Sequence, residues 1–141
     1  MNKKENQELK RLKNAWVFDH ANEMIEELNM ERSAAFRQAY LVYDLLEKLG
    51  EGIVAFEYKK KDGTSRRAQG TLCKGVSAQY DAYEYKDKEK RDCYPRLEFA
   101  YWDLDRAMFR SFSMERVVRI IGVSIPNKRE QTKNHDLIEF V

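Results

Sequence analysis

Residues 53–72 read Ile-Val-Ala-Phe-Glu-Tyr-Lys-Lys-Lys-Asp-Gly-Thr-Ser-Arg-Arg-Ala-Gln-Gly-Thr-Leu, and this stretch decides the fold. From Ile53 to Lys61, Val54, Phe56 and Tyr58 alternate with Ala55, Glu57 and Lys59, the period of a half-buried strand. Asp62-Gly63 follows, the strongest short-range hairpin signal, because the turn needs residues that tolerate positive φ. Arg66 to Leu72 reads as the returning strand, with Ala68, Gly70 and Leu72 on one parity. Gly70 is read as the place for a bend or bulge.

Upstream the period changes to 3.6. Leu9, Leu12, Ala15, Trp16, Val17 and Phe18 begin an apolar stripe, and Ala21, Met24, Ile25 and Leu28 continue it at spacings of three and four, which predicts a helix over 5–28. After a break at 29–32, Ser33 is the expected N-cap of a second helix running to about Leu49, with Gly50 as its stop. Trp16, Phe36, Tyr40 and Tyr43 are read as core side chains. Downstream, Tyr80, Tyr83 and Tyr85 alternate on a strand or loop and make a possible contact surface. Lys86–Arg91 is a charge run read as a solvated loop. Leu97–Leu104 and Met108–Ser113 read as strands around a turn at Asp103–Ala107. Met114–Arg116 reads as a single helical turn, and Val117–Ile125 as the last strand. Leu137–Val141 is placed as a docking or edge-strand segment. No internal repeat is found.

The expected architecture is therefore α+β: two N-terminal helices packed on a small, closed antiparallel barrel of about five strands. It is read as a single domain over 1–141, with a helical segment at 1–50, the barrel at 51–126 and a tail at 127–141. A barrel this small is filled by its own side chains, so a ligand must bind at the rim, on the loops or where helices meet barrel.

Composition agrees. The chain has 141 residues, 43% apolar and 35% charged, with 12% aromatic, which excludes a disordered or collagen-like chain. No apolar run approaches a membrane span, and the charged N-terminus lacks the apolar region of a signal peptide, so a soluble, cytoplasmic protein is expected. Net charge is only +2. The basic excess sits in residues 51–126, with 15 basic and 12 acidic side chains, against 8 and 9 in residues 1–50. Cys73 and Cys93 lack metal-ligand spacing and are read as reduced thiols, with no metal and no cofactor assigned.

Two stretches carry a resemblance. The first is Ser33-Ala34-Ala35-Phe36-Arg37-Gln38-Ala39-Tyr40, leading through Glu51-Gly52 into the hairpin and on to Gly70-Thr71-Leu72. The second is Phe99-Ala100-Tyr101-Trp102-Asp103-Leu104-Asp105, then Phe109-Arg110-Ser111-Phe112 and Glu115-Arg116-Val117. Together they resemble small SH3-like barrel proteins of bacteria, notably Bacteroidetes, and their phages. More broadly the chain is similar to WYL domains, SH3-like sensor modules in which an aromatic and several arginines are implicated in binding nucleotide-like or nucleic-acid ligands. That resemblance points to Tyr101, Arg110 and Arg116, and more loosely to Arg67. The chain has Ala100-Tyr101-Trp102 in place of a Trp-Tyr-Leu tripeptide.

The residues themselves name a similar set. Lys59, Lys60, Lys61, Arg66 and Arg67 converge on one hairpin beside Tyr58, where cations suit phosphate and an aromatic suits a base. A solvated edge that blocks aggregation is the other reading of those lysines. Arg110 and Arg116 lie near Tyr101 and Trp102, or else pair with Asp103, Asp105 and Glu115. Asp103 and Asp105 are read as turn-formers rather than as a cation or acid–base pair. No Walker loop, GxGxxG, GxSxG or HExxH is present, so no catalytic residue is assigned and the chain is expected not to be an enzyme. The candidate ligand-binding residues are Lys59, Lys61, Arg66, Arg67, Tyr101, Arg110 and Arg116. The expected partner is nucleic acid or a nucleotide-like ligand. The alternative is a protein-interaction module or inhibitor, phage- or mobile-element-encoded, that engages a host protein or self-associates through its helices as a homo-oligomer. No membrane partner is expected.

Overall fold

The computed structural model describes residues 2–83 and 96–125. Tyr85, Cys93, the charge run at 86–91 and the segment Leu137–Val141 lie outside the described residues. In chain order the elements are α1 (Lys3–Leu28), α2 (Arg32–Glu51), β1 (Ile53–Lys59), β2 (Ser65–Thr71), α3 (Ala78–Ala82), β3 (Glu98–Asp103) and β4 (Met108–Ser113), then a 3-10 turn (Met114–Arg116) and β5 (Val117–Ser124).

Both long helices have caps that explain their limits. α1 opens on a reciprocal box in which Asn2 accepts from the Glu5 amide, and closes on Asn29 in the left-handed region at φ 56. α2 starts differently from expectation. Its cap is Glu31, whose carboxylate accepts from the Ser33 and Ala34 amides and from the Ser33 hydroxyl. An anionic two-oxygen acceptor serves the positive helix end better than one hydroxyl, and these hydrogen bonds hold the Glu31 carboxyl below its ordinary range. α2 also runs through Gly50 to Glu51. Its C-cap is Gly52 rather than Gly50, with the Gly52 amide donating to the Lys48 carbonyl at 3.0 Å, and the chain after β1 adds to this end: the Leu72 amide donates to the Leu49 carbonyl at 2.8 Å, and Thr71 Oγ1 donates to the Gly52 carbonyl at 2.7 Å.

The strands form one antiparallel sheet in the order β4-β3-β2-β1-β5. In β1–β2, Phe56 lies opposite Ala68 and Tyr58 opposite Arg66. β1–β5 carries register shifts at Ala55/Phe56 and Glu57/Tyr58, which curl the sheet. The barrel is not closed by hydrogen bonds: among the described residues no ladder joins β4 to β5. The chain leaves β4 through the 3-10 turn, and the Met114 amide donates back to the Leu97 carbonyl at 2.7 Å instead of bridging the seam. α2 covers the opening. Gln38 Nε2 donates to the Met114 and Val117 carbonyls, at 2.9 and 2.7 Å, and so ties the helix to the turn.

The buried face of α2, Ala35, Ala39, Val42, Leu45 and Leu49, lies on the sheet, and Val17, Ala21 and Met24 of α1 complete the core. Inside the sheet, every pair among Phe56, Tyr58, Tyr101 and Phe112 has ring centroids between 5.1 and 6.1 Å apart. Trp16, Phe36 and Tyr43 are half-buried, whereas Tyr40 is exposed, a departure from the expected core. Tyr80 and Tyr83 belong to a short helix and its cap rather than to a strand. Ser77 Oγ accepts from the Tyr80 amide, and both rings cover Trp102 on the outer face of β3, at 5.6 and 5.3 Å.

Gly70 is explained by a close approach rather than by a bulge. A β-carbon there would lie 2.5 Å from Tyr101 Cδ2 and 3.3 Å from a Phe56 ring atom, with no room for either ring to retreat. Gly70→Ala should therefore lower unfolding stability by about 1–3 kcal/mol in urea titration, whereas the same change at Gly50, which has open space, should cost nothing.

Candidate ligand-binding cleft at the barrel rim

The β1–β2 hairpin is tightly built. The Lys60 amide donates to the Thr64 carbonyl at 2.8 Å, and the Gly63 amide to the Lys60 carbonyl at 2.9 Å. Asp62 Oδ1 accepts from the Thr64 amide and hydroxyl, and Gly63 takes φ 90, which only glycine adopts cheaply. This turn projects Lys59, Lys60 and Lys61 past the sheet, and Arg66 returns on the inner parity of β2. Across the gap stands β4, with Phe109, Arg110 and Phe112, followed by Arg116 in the 3-10 turn. Between them lies a cleft of about 350 Å³, lined by all six of these cations and floored by Tyr58.

A buried carboxylate organises one wall. Asp103 is only 2% exposed, and its two oxygens have separate tasks. Oδ1 accepts from the Asp105 and Arg106 amides, which closes the β3–β4 turn as expected. Oδ2 faces the guanidinium groups of Arg110 at 3.2 Å and Arg66 at 3.9 Å. The Arg110 contact is an ion pair too poorly aligned to count as a hydrogen bond, since its Nε is buried without a geometrically satisfied acceptor. Arg116 donates to the Lys60 carbonyl at 2.9 Å and lies 3.6 Å from Glu115. The expected pairing of these arginines with acids thus holds for Asp103 and Glu115 but not for Asp105. Lys59, Lys60 and Lys61 form no ion pair with any described residue, and Glu98 is the carboxylate in the cleft lining. The rim is therefore positive, with three guanidinium groups held in place and three ammonium groups around them.

Five of the seven candidate residues meet here: Lys59, Lys61, Arg66, Arg110 and Arg116. Two do not. Tyr101 is fully buried, and its hydroxyl is 2.8 Å from that of Tyr58, inside the ring cluster. It supports the floor from beneath, through Tyr58. Arg67 has the opposite strand parity from Arg66, so it points to the other face, beside Glu57 and Arg119. Phe109 and Met108 were not singled out in the sequence but form part of the wall. The signal for them is the register that sets Met108 opposite Asp103 and Arg110 opposite Tyr101, which a single strand's pattern does not contain. Among the described residues no cluster of His, Cys, Asp and Glu is arranged to hold a metal ion, and no helix is long and apolar enough to cross a membrane.

A five-stranded antiparallel sheet curled under a helix, with short strands and a polar rim, defines an SH3-like barrel class. More particularly, the chain belongs to the family described as WYL_2, Sm-like SH3 beta-barrel fold, whose family model matches residues 42–118, more than half of the chain. No curated protein and no solved structure matches it significantly.

The buried floor has a pH signature. Burial, and then the hydrogen bond with Tyr58, push the Tyr101 phenol well above its ordinary value near 10. A raised folded pKa means the neutral form is favoured in the folded chain. This contribution is complete below about pH 10 and is lost above it, as the unfolded phenol ionises while the folded one does not. Urea midpoints measured from pH 8 to 11 should fall steeply above pH 10, and Tyr101→Phe should flatten that fall. Asp103→Asn keeps the turn acceptor but removes the charge facing two arginines, and should cost about 2–3 kcal/mol at neutral pH in the same assay.

Proposed function

We propose that this protein is a non-enzymatic binding module that recognises nucleic acid or a nucleotide-like ligand through the rim cleft. The observation that carries the reading is the convergence of Lys59, Lys60, Lys61, Arg66, Arg110 and Arg116 on one cleft, although they are drawn from three separate stretches of a chain that is nearly neutral overall. The fixed guanidinium groups of Arg66, Arg110 and Arg116 suit phosphate oxygens, and the unpaired lysines add a diffuse attraction that tracks a backbone. The buried Tyr101 offers no ring to a base, and the Phe109 ring packs against Tyr80, Tyr83 and Trp102, so the cations carry the recognition. The openness of the cleft to solvent suits a single strand or a free nucleotide better than a rigid duplex. The resemblance to small barrel proteins of Bacteroidetes and their phages supports a bacterial, phage or mobile-element setting and a cytoplasmic location. The proposed organisation is one domain over residues 1–141.

A second reading is a protein-interaction module, which would act as an inhibitor of a host protein or by self-association. It is favoured by apolar side chains left on the surface of α1 and β5, among them Leu9, Leu12, Phe18, Ile121 and Val123.

The test is fluorescence polarisation with labelled single-stranded DNA and RNA, duplex DNA and free nucleotides, at low and near-physiological salt. Micromolar binding is expected, with a log–log salt slope of about −3 for four or five single-strand phosphate contacts. Lys59→Ala/Lys61→Ala should weaken binding about tenfold without changing thermal stability, because both side chains are exposed and unpaired. Arg67→Ala, on the opposite face, should leave binding unchanged. Salt-insensitive binding, or none to any probe, would overturn the proposal and favour the second reading.

A further inference from the structure

We propose that the outer side of α1 is a two-fold interface, on which a second copy of this chain lies antiparallel with its centre near Ala15. The starting observation is a charge order that runs against helix physics. Residues 2–14 carry Lys3, Lys4, Lys10, Arg11 and Lys13 against Glu5 and Glu8, a net +3; residues 15–28 carry Asp19, Glu23, Glu26 and Glu27 with no Lys or Arg, a net −4. The helix macrodipole favours acids at the N-terminus and bases at the C-terminus, so α1 alone is disfavoured by this arrangement. An antiparallel second copy reverses the sign of the effect, because the basic half of each helix then lies along the acidic half of the other.

The surface fits such a neighbour. At 3.6 residues per turn, Lys4, Leu12, Ala15 and Glu26 lie on the side of α1 away from buried Val17, Ala21 and Met24, with Phe18 on the flank nearest α2, and all five are exposed. Leu12 and Phe18 are 51% and 56% exposed, on either side of the small Ala15, which permits close approach of a second backbone. Phe18 continues the apolar strip onto α2, edge-on to Phe36 at 6.2 Å. Part of the charge is already used within the chain: Arg11 pairs with Glu8, and Arg96 with Asp19 and Glu23. Lys3, Lys4, Glu26 and Glu27 at the two ends form no ion pair with a described residue, and they stand at matching distances from Ala15. The apolar strip is short, so the dimer is a weak one.

Sedimentation should show a concentration-dependent dimer, with a dissociation constant on the order of tens of micromolar. Lys3→Glu/Lys4→Glu and Glu26→Lys/Glu27→Lys should each weaken it about tenfold. Both variants agree better with the dipole, so the dilute monomer should melt no lower than wild type, which separates a lost interface from a damaged fold. Mixing the two variants should restore dimers, since each then offers the complementary half. A Lys4→Cys chain with Cys73 and Cys93 changed to Ser should cross-link through a short bis-maleimide to a Glu26→Cys chain, and not to itself. A chain that stays monomeric at several hundred micromolar overturns the proposal. So does a dimer indifferent to both reversals, as one through Ile121 and Val123 of β5 would be, and so does Lys4→Cys self-cross-linking, which means a parallel pair.

Discussion

Tyr101 occupies space that a β-carbon at Gly70 would take, and the rest of the barrel is arranged around that contact. The close approach lets the Tyr101 ring enter a cluster with Phe56, Tyr58 and Phe112, and four aromatic rings fill the interior of a sheet with only five short strands. Two hydroxyls come with the rings. They are tolerated because they bond each other, so neither phenol is buried without a partner. An interior filled in this way has no room for a ligand. Polar chemistry is displaced to the rim, where Arg66 and Arg110 stand above the same rings.

At that rim a single buried carboxylate couples folding to charge placement. Asp103 closes the β3–β4 turn with one oxygen and faces two arginines with the other. The guanidinium groups are thereby held near fixed positions before any ligand arrives, which reduces the ordering cost of binding. Arg116 is fixed differently, by the Lys60 carbonyl across the hairpin. The same bond connects the two walls of the cleft, so its width depends on the seam between β4 and β5. That seam is closed by α2 through Gln38, not by a ladder. Helix, seam and cleft therefore form one mechanical unit.

The helices have unequal roles. α2 is a core element, with small Ala35 and Ala39 allowing close contact with the sheet and a C-terminus satisfied by β2. α1 covers α2 with its second half only, and residues 2–12 are exposed throughout. A long helix whose first ten residues are exposed and whose charges oppose its own dipole gains from a neighbour outside the chain, which is the basis of the proposed antiparallel pair.

The sequence by itself determined the element order, the hairpin and most of the element limits. Alternation in Ile53–Lys59, the Asp62-Gly63 turn and the apolar stripe of α2 are local patterns with local physical causes. Where local rules failed, either a stronger neighbour or a more distant partner had prevailed. Glu31 displaced Ser33 as cap by its charge, α2 ran past Gly50 to cap on Gly52 beside the end of β2, and Tyr80 was drawn into a short helix by packing on Trp102. The site was legible as a list of cations but not as a place. Strand parity already separates Arg66 from Arg67, yet only the register of β3 against β4 puts Arg110 over Asp103 and sends Tyr101 inward. The tertiary structure alone decided which charges meet, because cross-strand register and the open seam between β4 and β5 depend on contacts between residues far apart in the chain, and composition and periodicity carry no record of them.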